Sequence, residues 1–139
     1  MHPFPHHYEV DLTWEGERRA RMSSGPRPVM PGGPPPEFDG SDAWWSPEHL
    51  LLEAVNLCMM NTFCALAAKA GLKFESYRGH VDGTLEKTEQ GIAFTSIKVR
   101  CEVKAEDKAK ADQLLHSAKK YCIVSNALKI PPILETNVL

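Results

Sequence analysis

The chain has 139 residues, 42% of them apolar, with 18 acidic groups against 16 basic ones and a formal charge of −2. That length suits one domain, residues 1–139, with enough apolar content for a core. The near-neutral balance gives no field for nucleic acid or an anionic membrane, and no Lys/Arg run exceeds two residues.

In chain order, MHPFPHHY lacks the basic and apolar regions of a secretory signal, so the expected compartment is cytoplasmic. The default for its histidines is a solvated end. Residues 8–14 and 18–24 read as two short strands around a Glu-Gly turn. Residues 25–36 hold six prolines and read as an extended loop or edge strand. Ser46-Pro47-Glu48 is a helix start: a capping hydroxyl, a proline for the first helical position and a carboxylate for the positive end. The helix is expected to run to about Lys69, with Gly71 as its stop. Two long strands flank Glu89-Gln90-Gly91 as a hairpin. Residues 105–122 form an amphipathic helix with Ala111, Leu114, Leu115, Ala118 and Cys122 inward. ILETNVL is a last strand. The order implies an α+β domain.

The helix from Ser46 is apolar nearly all round, and such a helix must be covered on every side. Its uncharged stretch between Glu53 and Lys69 falls short of a bilayer core, so it reads as buried and not as a membrane span. A second copy of the chain is the economical cover, which predicts a homodimer.

The four cysteines and six histidines contain no closely spaced cysteine pair of the kind a structural zinc site uses, and no metal is expected. Cys58 and Cys64 lie on one helix, six residues apart. They point to different faces, too far apart for a disulfide. Cys64 and Cys101 read as core packing. Cys58 and Cys122 lie on the inward faces of two helices sharing one core, and read either as a redox pair or as two buried thiols. In the cytosol, disulfides are usually transient, catalytic or redox-sensing.

WSPEHLLLEAVNLCMMNTFCALAAKAGL, followed some 60 residues later by AKKYCIVSNALK, resembles the OsmC/Ohr family of osmotically inducible and organic hydroperoxide resistance proteins. The shared pattern is Pro47-Glu48, nine residues, Cys58, then Cys122-Ile123-Val124-Ser125, with Ile123 where the family has proline. The resemblance implies antiparallel sheets packed around a long central helix in an intertwined dimer. It implies a cysteine-based peroxidase that reduces organic hydroperoxides without cofactor or metal. Cys58 would be the peroxidatic thiol, Cys122 the resolving thiol, and an external dithiol the reductant. Glu48 would pair with an active-site arginine. The alternative is a dimeric redox sensor or apolar-ligand module without peroxidase turnover.

A thiolate is the nucleophile such a reaction needs. Cys58 lies mid-helix without help from a helix N-terminus, and burial raises a thiol, so a nearby cation is expected. Among Arg18, Arg19, Arg21 and Arg27, Arg19 is the candidate, with solvated strand charge the alternative for all four. Glu48 and Cys58 are about 15 Å apart along one helix. Glu48 is therefore expected to serve Cys58 of the other subunit. Leu51, Val55, Met59, Phe63, Trp44 and Trp45 are candidate apolar lining, with core packing the alternative for most of them.

Overall fold

The computed structural model describes residues 1–139 and divides into two compact units, Met1–Leu50 and Leu51–Leu139. In the first, β1 (Asp11–Trp14), β2 (Ala20–Ser23) and β3 (Met30–Gly32) form an antiparallel sheet in that order. The β1–β2 turn uses Gly16 and Glu17, both at positive φ, and closes with a bond from Glu15 N–H to the Arg19 carbonyl at 2.9 Å. The proline-rich segment supplies β3 as an edge strand, the position proline tolerates. Gly33 N–H then reaches the Trp45 carbonyl at 3.0 Å, bringing the segment before the helix alongside the strand.

Helix α1 spans Pro47–Ala70. The fully buried Ser46 caps it, accepting the His49 N–H on its Oγ at 3.1 Å. Gly71, at φ +70°, ends it. Val55, Met59, Phe63 and Ala67 form its buried stripe, spaced one turn apart. The length and composition of α1 would suit a membrane span, but that stripe shares one core with Val99, Cys101, Val103 and Leu115. Phe63 packs edge-on against Phe74 at 5.1 Å and tilted against Tyr77 at 5.5 Å. Fully burying a Phe or Met contributes about 1.5–3 kcal/mol.

The second unit's sheet has the order β4 (Phe74–Thr88), β5 (Gly91–Ala105), β6 (Ile133–Val138). β4 and β5 form the long hairpin, turning at Glu89-Gln90 with Gly91 at φ +112°. Helix α2 (Lys108–Tyr121) is capped by Asp107, which accepts the Lys110 N–H at 3.1 Å. It buries Ala111, Leu114, Leu115 and Ala118, the inward stripe read from the sequence. A short helix, α3 (Ile123–Asn126), follows. The sheets are not wholly antiparallel: β6 runs parallel to β5, pairing Val99 with Leu134 and Cys101 with Thr136. A strand reached through a helical crossover comes back in the same direction, so α2 between β5 and β6 imposes this.

Candidate functional site

Cys58 and Cys122 come together in the second unit. Cys122 is fully buried and marks the junction of α2 and α3. Its backbone is extended, at φ −65° and ψ 111°. The Val124 and Ile123 N–H groups, which open α3 just beyond Cys122, act as donors that lower the Cys58 thiol. All four cysteines are free thiols.

The two sulfurs are driven in opposite directions. Burial pushes Cys58 up, but it is outweighed by hydrogen bonds from the Val124 N–H, the Cys122 thiol and the Ile123 N–H, with Thr62 adding to them, so the net displacement is down. Thr62 counts for little, because its single proton already serves the Cys58 carbonyl at 2.8 Å. Burial raises Cys122, and the neighbouring Cys58 sulfur raises it further; the Ser125 hydroxyl, donating to Cys122 Sγ at 3.1 Å, opposes both. The more acidic, partly buried thiol is therefore held beside a more basic, enclosed one that donates to it. Such a pair favours a Cys58 thiolate with a protonated Cys122 next to it.

The sequence expectation that Cys58 gains nothing from a helix N-terminus is corrected here. Its own helix offers nothing, but amides opening α3 do. Ser125 and the two amides were not singled out from the sequence; the signal was a serine three residues after Cys122. Of the other thiols, Cys101 is buried with its Sγ 3.1 Å from the Tyr77 hydroxyl, and burial raises both groups. Cys64 is half-buried.

The first unit carries a separate feature. An open cleft of about 520 Å³ is lined by apolar groups, among them Leu12, Met22, Phe38, Trp45 and Leu50, with Arg18 and Glu48 as its charged groups. Glu48 Oε1 is buried and accepts no hydrogen bond. A buried carboxylate oxygen without a donor is costly, so its surroundings favour a cation. Arg18 uses one N–H on the Asp39 carbonyl at 2.7 Å, leaving other donors of its fork. Arg19 instead lies over the Trp44 ring, 5.3 Å from its centroid. Arg21 faces Glu15, and Arg27 the Ser24 carbonyl. The arginine that shares a cleft with Glu48 is thus Arg18, the immediate neighbour of the one chosen from the sequence. Trp45 lines this cleft, and Val55, Met59 and Phe63 are core, the alternative given for them from the sequence.

Comparison with known proteins gives one consistent family. Residues 40–137 match the family described as OsmC-like protein. Peroxiredoxin OsmC of Escherichia coli is 29% identical over 125 residues, covering 88% of this chain and 86% of its own length. The uncharacterised protein YmaD of Bacillus subtilis is 24% identical over 132 residues, covering 89% and 87%. Among solved structures, an OsmC-like protein of unknown function from Vibrio cholerae superposes with a TM-score of 0.86 at 19% identity, covering 95% of this chain and 99% of its own. An organic hydroperoxide resistance protein from Elizabethkingia anophelis superposes with a TM-score of 0.79 at 17% identity, covering 97% and 96%. At these identities the two superpositions establish the fold.

Proposed function

This chain belongs to the OsmC/Ohr family, and from that premise we propose that it is a thiol-dependent peroxidase reducing organic hydroperoxides to alcohols. The observation that carries the reading is the Cys58–Cys122 pair, in which hydrogen bonds lower the partly buried Cys58 thiol while burial raises Cys122, its neighbour and donor.

The cycle has three steps. Cys58 thiolate attacks the terminal peroxide oxygen; the O–O bond breaks, the alkoxide leaves and takes up a proton as alcohol, and Cys58 becomes a sulfenic acid. Cys122 then attacks the Cys58 sulfur, forming the disulfide and expelling water. An external dithiol reduces that disulfide by exchange and is itself oxidised to a disulfide. The donors around Cys58 supply the thiolate for the first step.

The reading includes a homodimer in which Glu48, with Arg18, serves Cys58 of the other subunit. Support comes from the unpartnered Glu48 oxygen and from an α1 that a single chain leaves largely uncovered.

The test is to add one equivalent of cumene hydroperoxide to the reduced protein and map disulfides by mass spectrometry. A Cys58–Cys122 bridge is expected in the wild type and absent in Cys58→Ser; unchanged free thiols would end the peroxidase reading. A bridge that forms but never turns over with added dithiol would favour a redox sensor. In the same assay, Arg18→Ala is expected to slow bridge formation by about tenfold, the loss of one charge-assisted bond. Arg19→Ala is expected to leave it near the wild-type rate.

A further inference from the structure

We propose that the Ser125 hydroxyl is a positioning group for Cys122, holding it as the sulfur that leaves when an external dithiol reduces the Cys58–Cys122 disulfide. This rests on the peroxidase reading and adds to it a direction for the reductive step. Ser125 is almost fully buried, and its Oγ donates to Cys122 Sγ at 3.1 Å. A neutral thiol sulfur is a weak acceptor. A buried hydroxyl spent on one gains little at rest and far more once the sulfur carries charge. The donor is thus aimed in advance at charge that develops later.

Negative charge develops on Cys122 when the disulfide is reduced. The incoming thiolate can attack either sulfur, and the preferred site depends on access and on the acidity of the leaving thiol. Acidity alone would make Cys58 the leaving group, because its amide donors stabilise its thiolate. Access opposes this: Cys122 is 0% exposed, whereas Cys58 is only partly buried. Attack therefore falls on Cys58. The S–S bond breaks, a mixed disulfide forms on Cys58, and the electron pair goes to Cys122, where Ser125 stabilises it. The second thiol of the dithiol then attacks its own sulfur in the mixed disulfide and frees the Cys58 thiolate; the dithiol departs as its cyclic disulfide, and Cys122 takes up a proton. Two electrons pass from the dithiol to the protein.

The full-length protein is oxidised with diamide, so that the test needs no peroxidase activity, and the bridge is mapped. A brief pulse of glutathione, acid quench, alkylation and peptide mapping should then find glutathione on Cys58 and an alkyl group on Cys122. Glutathione on Cys122 would overturn the proposal while leaving the peroxidase reading standing. Failure of diamide to form the bridge would overturn both. Reduction by dithiothreitol is expected to be about tenfold slower in Ser125→Ala, given the strength of a hydrogen bond to a charged group. Ser125→Thr, which keeps the hydroxyl, should recover most of the rate, which a merely structural role for the side chain would not require. An unchanged rate in a folded Ser125→Ala would sink the idea. Should that variant not fold, the glutathione mapping on the wild type decides.

Discussion

Two thiols with the same intrinsic chemistry face opposite fates here because of what donates to them. Cys58 receives backbone amides and the Cys122 thiol; Cys122 receives the hydroxyl and the backbone N–H of Ser125 against a burden of burial. Ile123 sharpens the point. The family has proline at this position, which has no N–H, whereas isoleucine offers one to the Cys58 sulfur. Its side chain is 80% exposed and it opens α3, a position where proline is well tolerated. Ile123→Pro should therefore remove one donor without unfolding the protein. Thiolate reactivity is present above the thiol's pKa and lost as pH falls through it. The wild-type rate of Cys58 alkylation should reach its plateau at a lower pH than an ordinary cysteine. Ile123→Pro should move that profile upward by about one pH unit, the scale of one hydrogen bond to a charged group. Iodoacetamide kinetics with peptide-level detection would check both; a superimposable profile would show the Ile123 amide to be unimportant.

At the scale of elements, the long helix, the hairpin and α2 were legible in the sequence because their signals are local. Ser46 and Pro47 open α1, Gly71 closes it, and a 3.6-residue stripe marks the inner face of α2. Less legible was the proline-rich segment, which pairs as β3 and then tightens into a short turn at Pro36–Phe38. Gly40 N–H and Ser41 N–H return to the carbonyls of Pro35 and Pro34. A Cβ added at Gly40 would sit 1.8 Å from the Pro34 carbonyl oxygen, a backbone atom that cannot swing aside. Gly40→Ala should cost roughly 2 kcal/mol or more, as a change that forces backbone movement in a packed turn. Chemical denaturation would measure it, and wild-type stability would show that the turn gives way freely. The turn neighbours the cleft through Pro34, Pro35 and Phe38, so the same substitution should also disturb Glu48's surroundings.

For the whole molecule, the decisive quantity is uncovered apolar surface. Only four of the 24 residues of α1 are buried within one chain. Leu57, mid-helix, remains 54% exposed. β1 is exposed along its whole length, with Leu12 and Trp14 among the large uncovered side chains. A proposed dimer across such surfaces should bury at least the roughly 1,000 Å² that specific interfaces need. Sedimentation velocity is expected to find a dimer, and Leu57→Glu, which would bury a charge in that interface, to shift it to monomer. A wild-type monomer at tens of micromolar would overturn both the dimer and the idea that Glu48 acts on the other subunit's Cys58.

What the sequence determined by itself were the features written in short range: element boundaries, inner faces, the separation of Cys58 from Cys64 on one helix, and the Pro-Glu and Cys-x-x-Ser motifs that point to the family. Tertiary structure alone decided what depends on contacts between distant segments. The choice of Arg18 over Arg19 beside Glu48 turned on how one tight turn oriented adjacent side chains. The donors that lower the Cys58 thiol come from the start of α3, just beyond Cys122 and far along the chain. Side-chain identity shows which groups can titrate or pair; backbone N–H groups are the same at every residue but proline, so only the fold reveals which of them point at a thiol.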